Sequence, residues 1–575
     1  MILRALTNYY EQLLRENKAA PWGWCQAKAA FALDLSEDGN LRGIISLKTE
    51  AERGKKKVWI PAVRRVPQMV ARSSGVAANF LCDNSKYMLG IDAKGCGGRL
   101  RECFEAAGKK HEEILAEAHG RMAEAIRGFF KGWEPENAFS HPMLQEVWEE
   151  VTDGSNLIFC MDGYYEAQED EEVRRAWEKY IENRDSGEKG VCLVTGEKTS
   201  IARIHAAVKG VSGAQSSGAS LVSFNAPSFE SYGKEQSYNA PVGEYAAFAY
   251  TTALNYLLSD RKYVAQIGDT TVVYWAENGG EDYKKAFLWT MEPQIDNQEA
   301  VRGIFERLKR GQKIDINGMV LDENKHFFVL GLTPNAARLS VKFFYQDSFG
   351  NILKHLEDHY RCLEIVRPSR ERREYLGIGE LLQETVNQKA REKKPVPGMA
   401  AAMLAAVLSG GRYPSSLYMN LMIRIRAEQG KLTWGRASIV KAYLIKNYHW
   451  SEGEMMVAIN ENMADAAYVM GEIFAVLEKI QQEANPGINT TIRDRYFNSA
   501  CTTPAMVFPI LFRLKNSHIR KMETEGKRIY YEKMITELMG RLDGFPARLS
   551  LENQGKFMLG YYHQVQKFYT KKEEK

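Results

Sequence analysis

The feature that most constrains the fold is a change of hydrophobic periodicity near residue 378. Before it, short apolar runs bounded by turn residues alternate with helical stretches. From Ile378 onward apolar residues recur at helical spacing almost throughout, and no clear strand pattern returns. A chain built this way predicts an α+β protein, with a large mixed α/β region over residues 1–377 followed by an all-helical region over 378–575. In the first region Leu3, Leu6, Tyr9, Tyr10, Leu13 and Leu14 mark an opening helix. Phe31 to Leu35 and Leu41 to Leu47 flank Glu37-Asp38-Gly39-Asn40 as a hairpin, and Leu157 to Met161 reads as a buried strand. Tyr263 to Glu277 predicts a hairpin about Gly268-Asp269, and Phe327 to Tyr345 a second about a Thr333-Pro334-Asn335 turn. In the second region Met463 to Gln481 is the clearest helix, stopped by Asn485-Pro486-Gly487. Lys393 to Gly398, rich in lysine and proline, is the best linker candidate between the two regions.

Composition narrows the setting. The 575 residues are 45% hydrophobic and 26% charged, enough for two to four domains at roughly 150 residues each. A formal net charge of +4 is too small to mark the whole chain as a polyanion binder, so any such signal must come from local patches. Eight cysteines are scattered with no Cys-x-x-Cys, which fits a reducing, cytoplasmic setting. The N-terminal segment lacks the apolar core of a signal peptide, and no uninterrupted apolar run reaches membrane-spanning length.

Three segments suit a nucleic acid. Between Cys192 and Tyr232 the chain places Gly210, Gly213, Gln215, Ser216, Ser217, Gly218 and Ser220 in one short stretch, flanked by Arg203 and Lys209. Glycines let backbone approach a ligand, and exposed N–H groups suit phosphates or base edges. A plain surface loop is the alternative, and the Gly-Lys-Ser/Thr order of a P-loop is absent. Lys48 to Arg72 carries Lys55, Lys56, Lys57, Arg64 and Arg65 among its cations and is interrupted by Pro61 and Pro67, which predicts an extended basic loop offering phosphate contacts. Near the C-terminus Arg493, Arg495, Arg513, Lys515, Arg520, Lys521, Lys527 and Arg528 outnumber Asp494, Glu523 and Glu525. They predict a groove for a single strand or a heteroduplex backbone, with Tyr496 and Phe497 as stacking platforms. The alternative is that Arg495 pairs internally and both rings are core. Asn79, Asn84 and Gln215 carry amides that can both donate to and accept from base edges, although asparagines equally often cap turns.

Catalytic patterns are missing. His355 and His359 lie four apart but read His-Leu-Glu-Asp-His, not His-Glu-x-x-His. Cys82, Cys96, Cys103 and His111 match no zinc-finger spacing. There is no Gly-x-Ser-x-Gly elbow, and Cys192 and His205 form a pair only on paper. A chain of this size without a catalytic signature predicts a binding subunit, not an enzyme, with no cofactor and no metal.

Several phrases carry a resemblance: FLCDNSKYMLG (Phe80 to Gly90), CLVTGE, IARIHAAVKGVSGAQSSGASLVSFN, NAPVGEYAAFAYTTALNYLL, GDTTVVYWAE, FFVLGLTPNAARLSVKFF and FAVLEKIQQEANPGINTTIRDRYFNSACTTPAMVFP. Together they resemble the large subunit of the type I-C CRISPR-associated Cascade effector complex. The resemblance implies a non-catalytic subunit at the 5′ end of the CRISPR RNA that reads the protospacer-adjacent motif in duplex DNA, supports R-loop formation, steadies the displaced strand and recruits a separate helicase-nuclease. It implies backbone and crRNA 5′-end subunits as partners, and a small subunit made from an internal start at Met455 or Met456, so that residues 456–575 form a small-subunit-like bundle. In that light Asn79, Asn84, Gln215 and the backbone of Gly213 to Gly218 are the motif-reading set. One departure stands out: Met470-Gly471-Glu472 replaces an expected Leu-Gly-Arg, which weakens any phosphate role for this position. A metal-dependent nuclease and a scaffold that binds only protein remain the alternatives.

Overall fold

The computed structural model describes residues 1–53, 56–70, 72, 75–183, 188–316, 318–451 and 457–569. The chain packs as two compact units, Met1–Ala206 with Ser223–Ala253, and Ala207–Val222 with Leu254–Lys575. Each unit borrows a segment from the other's stretch of sequence. The change of secondary-structure class near residue 378 therefore falls inside the second unit.

In the first unit a seven-stranded sheet is built on β1 (Trp24–Leu35). The first half of β1 pairs with β4 (Lys56–Pro67) and the second half with β2 (Leu41–Ser46), both antiparallel. On its other edge β1 runs parallel to β6 (Asn156–Met161), which in turn pairs with β5 (Cys82–Asn84) and β7 (Tyr165–Glu166). β3 (Lys48–Arg53) pairs only with the first half of β4. The expected basic loop is thus a β-ribbon. Its prolines are tolerated because of where they fall: Pro61 sits where β4 exchanges β3 for β1 as partner, and Pro67 is the last residue of the strand. Helices Gly98–Leu115, Arg121–Gly132 and Glu171–Asn183 cover the sheet with Phe104, Ile126, Phe129 and Trp177 over Phe31, Leu33 and Phe159. A small hairpin, β8 (Lys189–Val191) with β9 (Lys198–Ser200), completes this unit.

The second unit holds an antiparallel sheet in the order β10 (Val264–Ile267), β11 (Thr270–Ala276), β14 (His326–Asn335), β15 (Arg338–Ser348), with β12 (Ile314–Ile316) and β13 (Met319–Leu321) as a separate hairpin. The β14–β15 turn is Ala336-Ala337, not Thr333-Pro334-Asn335: pairing continues through Pro334 opposite Leu339 to Asn335 opposite Arg338. The expected linker is also no free tether. The Gly398 N–H donates to Asp269 Oδ2 at 2.9 Å, and Pro395 packs against the β10–β11 turn at Gly268.

From Ile378 to Tyr569 the described residues form helices, and one hydrophobic core runs from Ala265 on β10 to Tyr562 near the chain's end. At its centre helices Ala466–Ala484 and Leu551–Tyr569 cross closely. A Cβ at Gly471 would lie 2.0 Å from the Phe557 carbonyl oxygen, and one at Gly560 2.0 Å from that of Tyr468, so only glycine permits the crossing. Glu472, beside Gly471, is buried, not presented to a polyanion. Its nearest cation is Arg541, with Nη1 3.7 Å from Oε2. Among the described residues no helix is long and apolar enough to cross a membrane.

Candidate nucleic-acid interface

The Gly/Ser-rich loop belongs to the second unit and is built, not slack. Val208 and Ala219 exchange two backbone hydrogen bonds at 2.9 Å, which closes residues 209–218 into a loop. Inside it Asn255 Oδ1 accepts from the Lys209 N–H at 2.7 Å, Thr271 Oγ1 from the Ser212 N–H at 3.1 Å, and the Gly210 carbonyl from Arg261 Nη1 at 3.2 Å. Gly218 closes a turn onto the Gln215 carbonyl at 2.9 Å; its φ of +100° and its contact with the Val208 carbonyl exclude a side chain there. Gly213 likewise has φ near +79°. The side chains of Lys209, Gln215, Ser216 and Ser217 are left exposed on this brace, beside the Arg261 guanidinium.

Asn79 and Asn84 lie in the first unit and serve its own backbone. Asn79 is 2% exposed, and its Oδ1 accepts from the Val70 N–H at 2.8 Å. Asn84 caps the helical turn after β5, its Oδ1 accepting from the Lys86 N–H at 3.1 Å. Both flank Asp83, whose buried carboxylate accepts from the backbone N–H groups of Asn79 and Asn84 at 2.9 Å each and pairs with Arg72. The Arg72 guanidinium lies 3.9 Å from the centre of the Tyr87 ring and donates to the Ala77 carbonyl, so this latch holds the chain between β4 and β5. Within one unit the structure does not bring these two asparagines together with Gln215.

The ribbon's cations divide. Lys57 pairs with Glu50 across the ribbon at 3.1 Å, and Arg64 grips both oxygens of Glu166 at 2.7 and 3.0 Å. Arg65 is exposed, with its guanidinium 5.9 Å from the centre of the Trp24 ring. Lys56 opens β4, and Lys55 lies outside the described residues. Arg203, also in this unit, faces Glu235 at 3.7 Å on the surface. Sequence reading passed over Trp59, which is 69% exposed in the middle of the ribbon. The available signal was the alternation Lys57, Trp59, Val63, Arg65, which places them on one exposed face of a strand.

The C-terminal cations divide in the same way. Lys515 is buried and bridges two helices through both oxygens of Glu532, at 2.7 and 2.8 Å. Arg528 caps the preceding helix by donating to the carbonyls of Met522 and Arg520, Lys527 pairs with Glu483 at 2.7 Å, and Arg493 reaches Asp494 at 3.4 Å. Arg513, Arg520 and Lys521 remain exposed and share a face of helix Pro504–Lys521, being seven and eight residues apart. Arg495 is exposed beside the half-buried Tyr496. Phe497 is core, packed edge-on against Phe474, Phe557 and Tyr561, so it offers no stacking platform.

The histidines set aside on sequence grounds have structural partners. His111 is buried and pushed down to about 4 by desolvation; its Nε2 accepts from the Leu81 N–H at 3.0 Å. His359 meets the Tyr413 hydroxyl at 2.5 Å and His205 the Tyr250 hydroxyl at 2.7 Å. Cys192 Sγ, also buried, accepts from the Gly243 and Val194 N–H groups at 3.1 and 3.4 Å. Among the described residues no three His, Cys, Asp or Glu side chains converge as metal ligands.

What the geometry leaves exposed is a braced Gly/Ser loop, a ribbon with an uncovered tryptophan and a helix face bearing three cations. No curated protein matches the chain. The family comparison does: the profile of a CRISPR-associated protein family, Cas_Csd1, matches residues 6–569, nearly the whole chain, and the protein belongs to that family.

Proposed function

We propose that the chain is the non-catalytic large subunit of a type I-C CRISPR RNA-guided surveillance complex acting in the cytoplasm. It joins the backbone and crRNA 5′-end subunits on the CRISPR RNA, reads the protospacer-adjacent motif in target duplex DNA, supports R-loop formation, steadies the displaced strand and recruits the helicase-nuclease. Guide pairing carries the long sequence and protein carries only the short motif, the division used by other RNA-guided effectors. The observation that supports this reading best is the loop at residues 209–218. Its backbone is held by Asn255, Thr271 and Arg261, while Gln215, Ser216 and Ser217 project beside Lys209. Cations position a duplex through its phosphates, and an amide such as that of Gln215 discriminates bases. Asn79 and Asn84 lend it no such support, because their amide oxygens accept from the chain's own Val70 and Lys86 N–H groups.

Binding by the assembled complex to duplexes with and without the motif tests this. Gln215→Ala should reduce discrimination by about 1–3 kcal/mol, the worth of one good base contact, and leave overall affinity for DNA largely unchanged. The purified chain should leave DNA intact in the presence of divalent ions. Equal binding of the two duplexes by the wild-type complex would refute motif reading, and degradation of DNA by the chain alone would favour the nuclease alternative.

A further inference from the structure

The first unit also carries a surface of the opposite sign. Residues 132–173 contain twelve Asp and Glu and no Lys or Arg, in a chain whose formal net charge is +4. A block of carboxylates repels phosphate, so this stretch is a poor neighbour for a nucleic-acid strand. Its first half exposes apolar side chains as well. Three short turns, Pro135–Ser140, Pro142–Gln145 and Trp148–Val151, are pinned to the core by Ala138, Leu144 and Val151, each fully buried. Trp133 anchors the entry, its indole donating to the Leu89 carbonyl at 2.9 Å. Next to these pins Phe139 is 73% exposed and Met143 43%. Phe139 meets the half-buried Trp148 edge-on, with ring centres 5.2 Å apart. One exposed ring alone would be ordinary. A ring pair with a methionine on the adjoining turn, all on pinned backbone, has the composition of a protein interface.

The charges around the pair narrow the partner. Glu136 is taken by Arg101 and Glu150 by Lys48. Glu134, Glu146 and Glu149 are exposed and have no ion pair among the described residues. Glu146 and Glu149 stand two residues before and one residue after Trp148. Aromatic faces beside unpaired carboxylates call for a group that is flat, cationic and readily desolvated. A guanidinium meets all three demands: it stacks on the ring and still donates sideways to a carboxylate. An ammonium is more strongly hydrated and cannot stack.

We propose that this surface docks an arginine-bearing segment of another protein in the complex, with a guanidinium on the Phe139–Trp148 pair and its charge met by Glu146 and Glu149. The proposal rests on the reading of the chain as a subunit of a multi-protein complex. It gives the subunit a protein-binding face separate from the cationic faces. Opposite charge sets the partner's register and approach, and the ring pair holds the contact.

Photo-cross-linking tests it. Phe139→p-benzoylphenylalanine places a cross-linker of similar shape at an exposed position, in the complex assembled on CRISPR RNA, with and without the helicase-nuclease. Cross-links should fall on a protein segment with an arginine within a few residues of the attachment point. Glu146→Arg with Glu149→Arg should lower the yield about tenfold, the worth of one hot-spot contact. Reversing the charge of the cross-linked partner's arginine to glutamate should restore it. All three positions on this chain are exposed, so the variants test docking without disturbing the core. Cross-links to RNA or DNA, to a second copy of this chain or to a segment without arginine would overturn the proposal, as would their absence from every assembly or a yield indifferent to the charge reversal. Motif discrimination would stand in each of those cases. A chain that joins no complex with other CRISPR-associated proteins would overturn both readings.

Discussion

Glu472 shows what a single residue can hide. Burial pushes its carboxyl up to about 7 from an ordinary 4.5, and Arg541 offsets only part of that. The folded chain therefore keeps a proton that the unfolded chain has released, so this group's contribution to stability is full below about 4.5 and is lost as pH rises through 7. We expect Glu472→Gln, which cannot ionise, to gain on the wild type between pH 5 and pH 8 by on the order of 3 kcal/mol. Thermal melts of both proteins at the two pH values read this, and a gap that does not move with pH would show that the carboxylate ionises without penalty. Sequence conveyed the charge reversal at this position but not its burial. The same holds for Lys515 and Arg64. Each reads as an available cation, and each is committed to a glutamate far away in sequence, Glu532 and Glu166. Asn79 and Asn84 could be read as amides beside a strand; that their oxygens serve Val70 and Lys86 depends on a turn that only the folded chain reveals.

Among the elements, legibility followed periodicity. Helix Ala466–Ala484 and the β10–β11 hairpin were visible because a long regular pattern leaves few alternatives. The ribbon of β3 and β4 was obscured by its prolines, whose tolerance depends on which neighbour each half of β4 pairs with. Helix Pro504–Lys521 presents the cleanest cationic face, since Arg513, Arg520 and Lys521 remain after internal pairing has claimed Lys515. Replacing these three by glutamine should flatten the salt slope for single-stranded DNA by about 2 and shorten R-loop lifetime, while motif discrimination is unchanged. An unaltered slope in the assembled complex would remove this face from the strand's path. Lys515→Ala should instead lower the melting temperature and leave the slope alone.

The whole molecule is organised in a way no local pattern conveys. The two units exchange segments, and the second unit's core is continuous from β10 to the last helix. This bears on a separately made C-terminal product. The start at Met455 or Met456 lies outside the described residues, but the face such a product would expose is described. In the full chain the Tyr418 hydroxyl donates to the Leu551 carbonyl at 2.9 Å, Arg426 reaches Gln554 at 2.5 Å and the Trp450 indole donates to Glu552 at 3.0 Å. We expect the native gene to yield a short companion whose appearance is abolished by silent changes in the Glu452 to Glu454 codons. Purified alone, it should self-associate through that uncovered face in sedimentation experiments; a stable monomer, or a companion persisting after the silent changes, would contradict this. The buried helix Leu551–Tyr569 also bears on the order of synthesis. Side chains from Gln554 to Gln564 are all enclosed, yet they leave the ribosome after the rest of the second unit's core. The first unit has all its residues early and can fold while translation continues. The second must wait, its long core open along one side, until helix Leu551–Tyr569 is released and closes it.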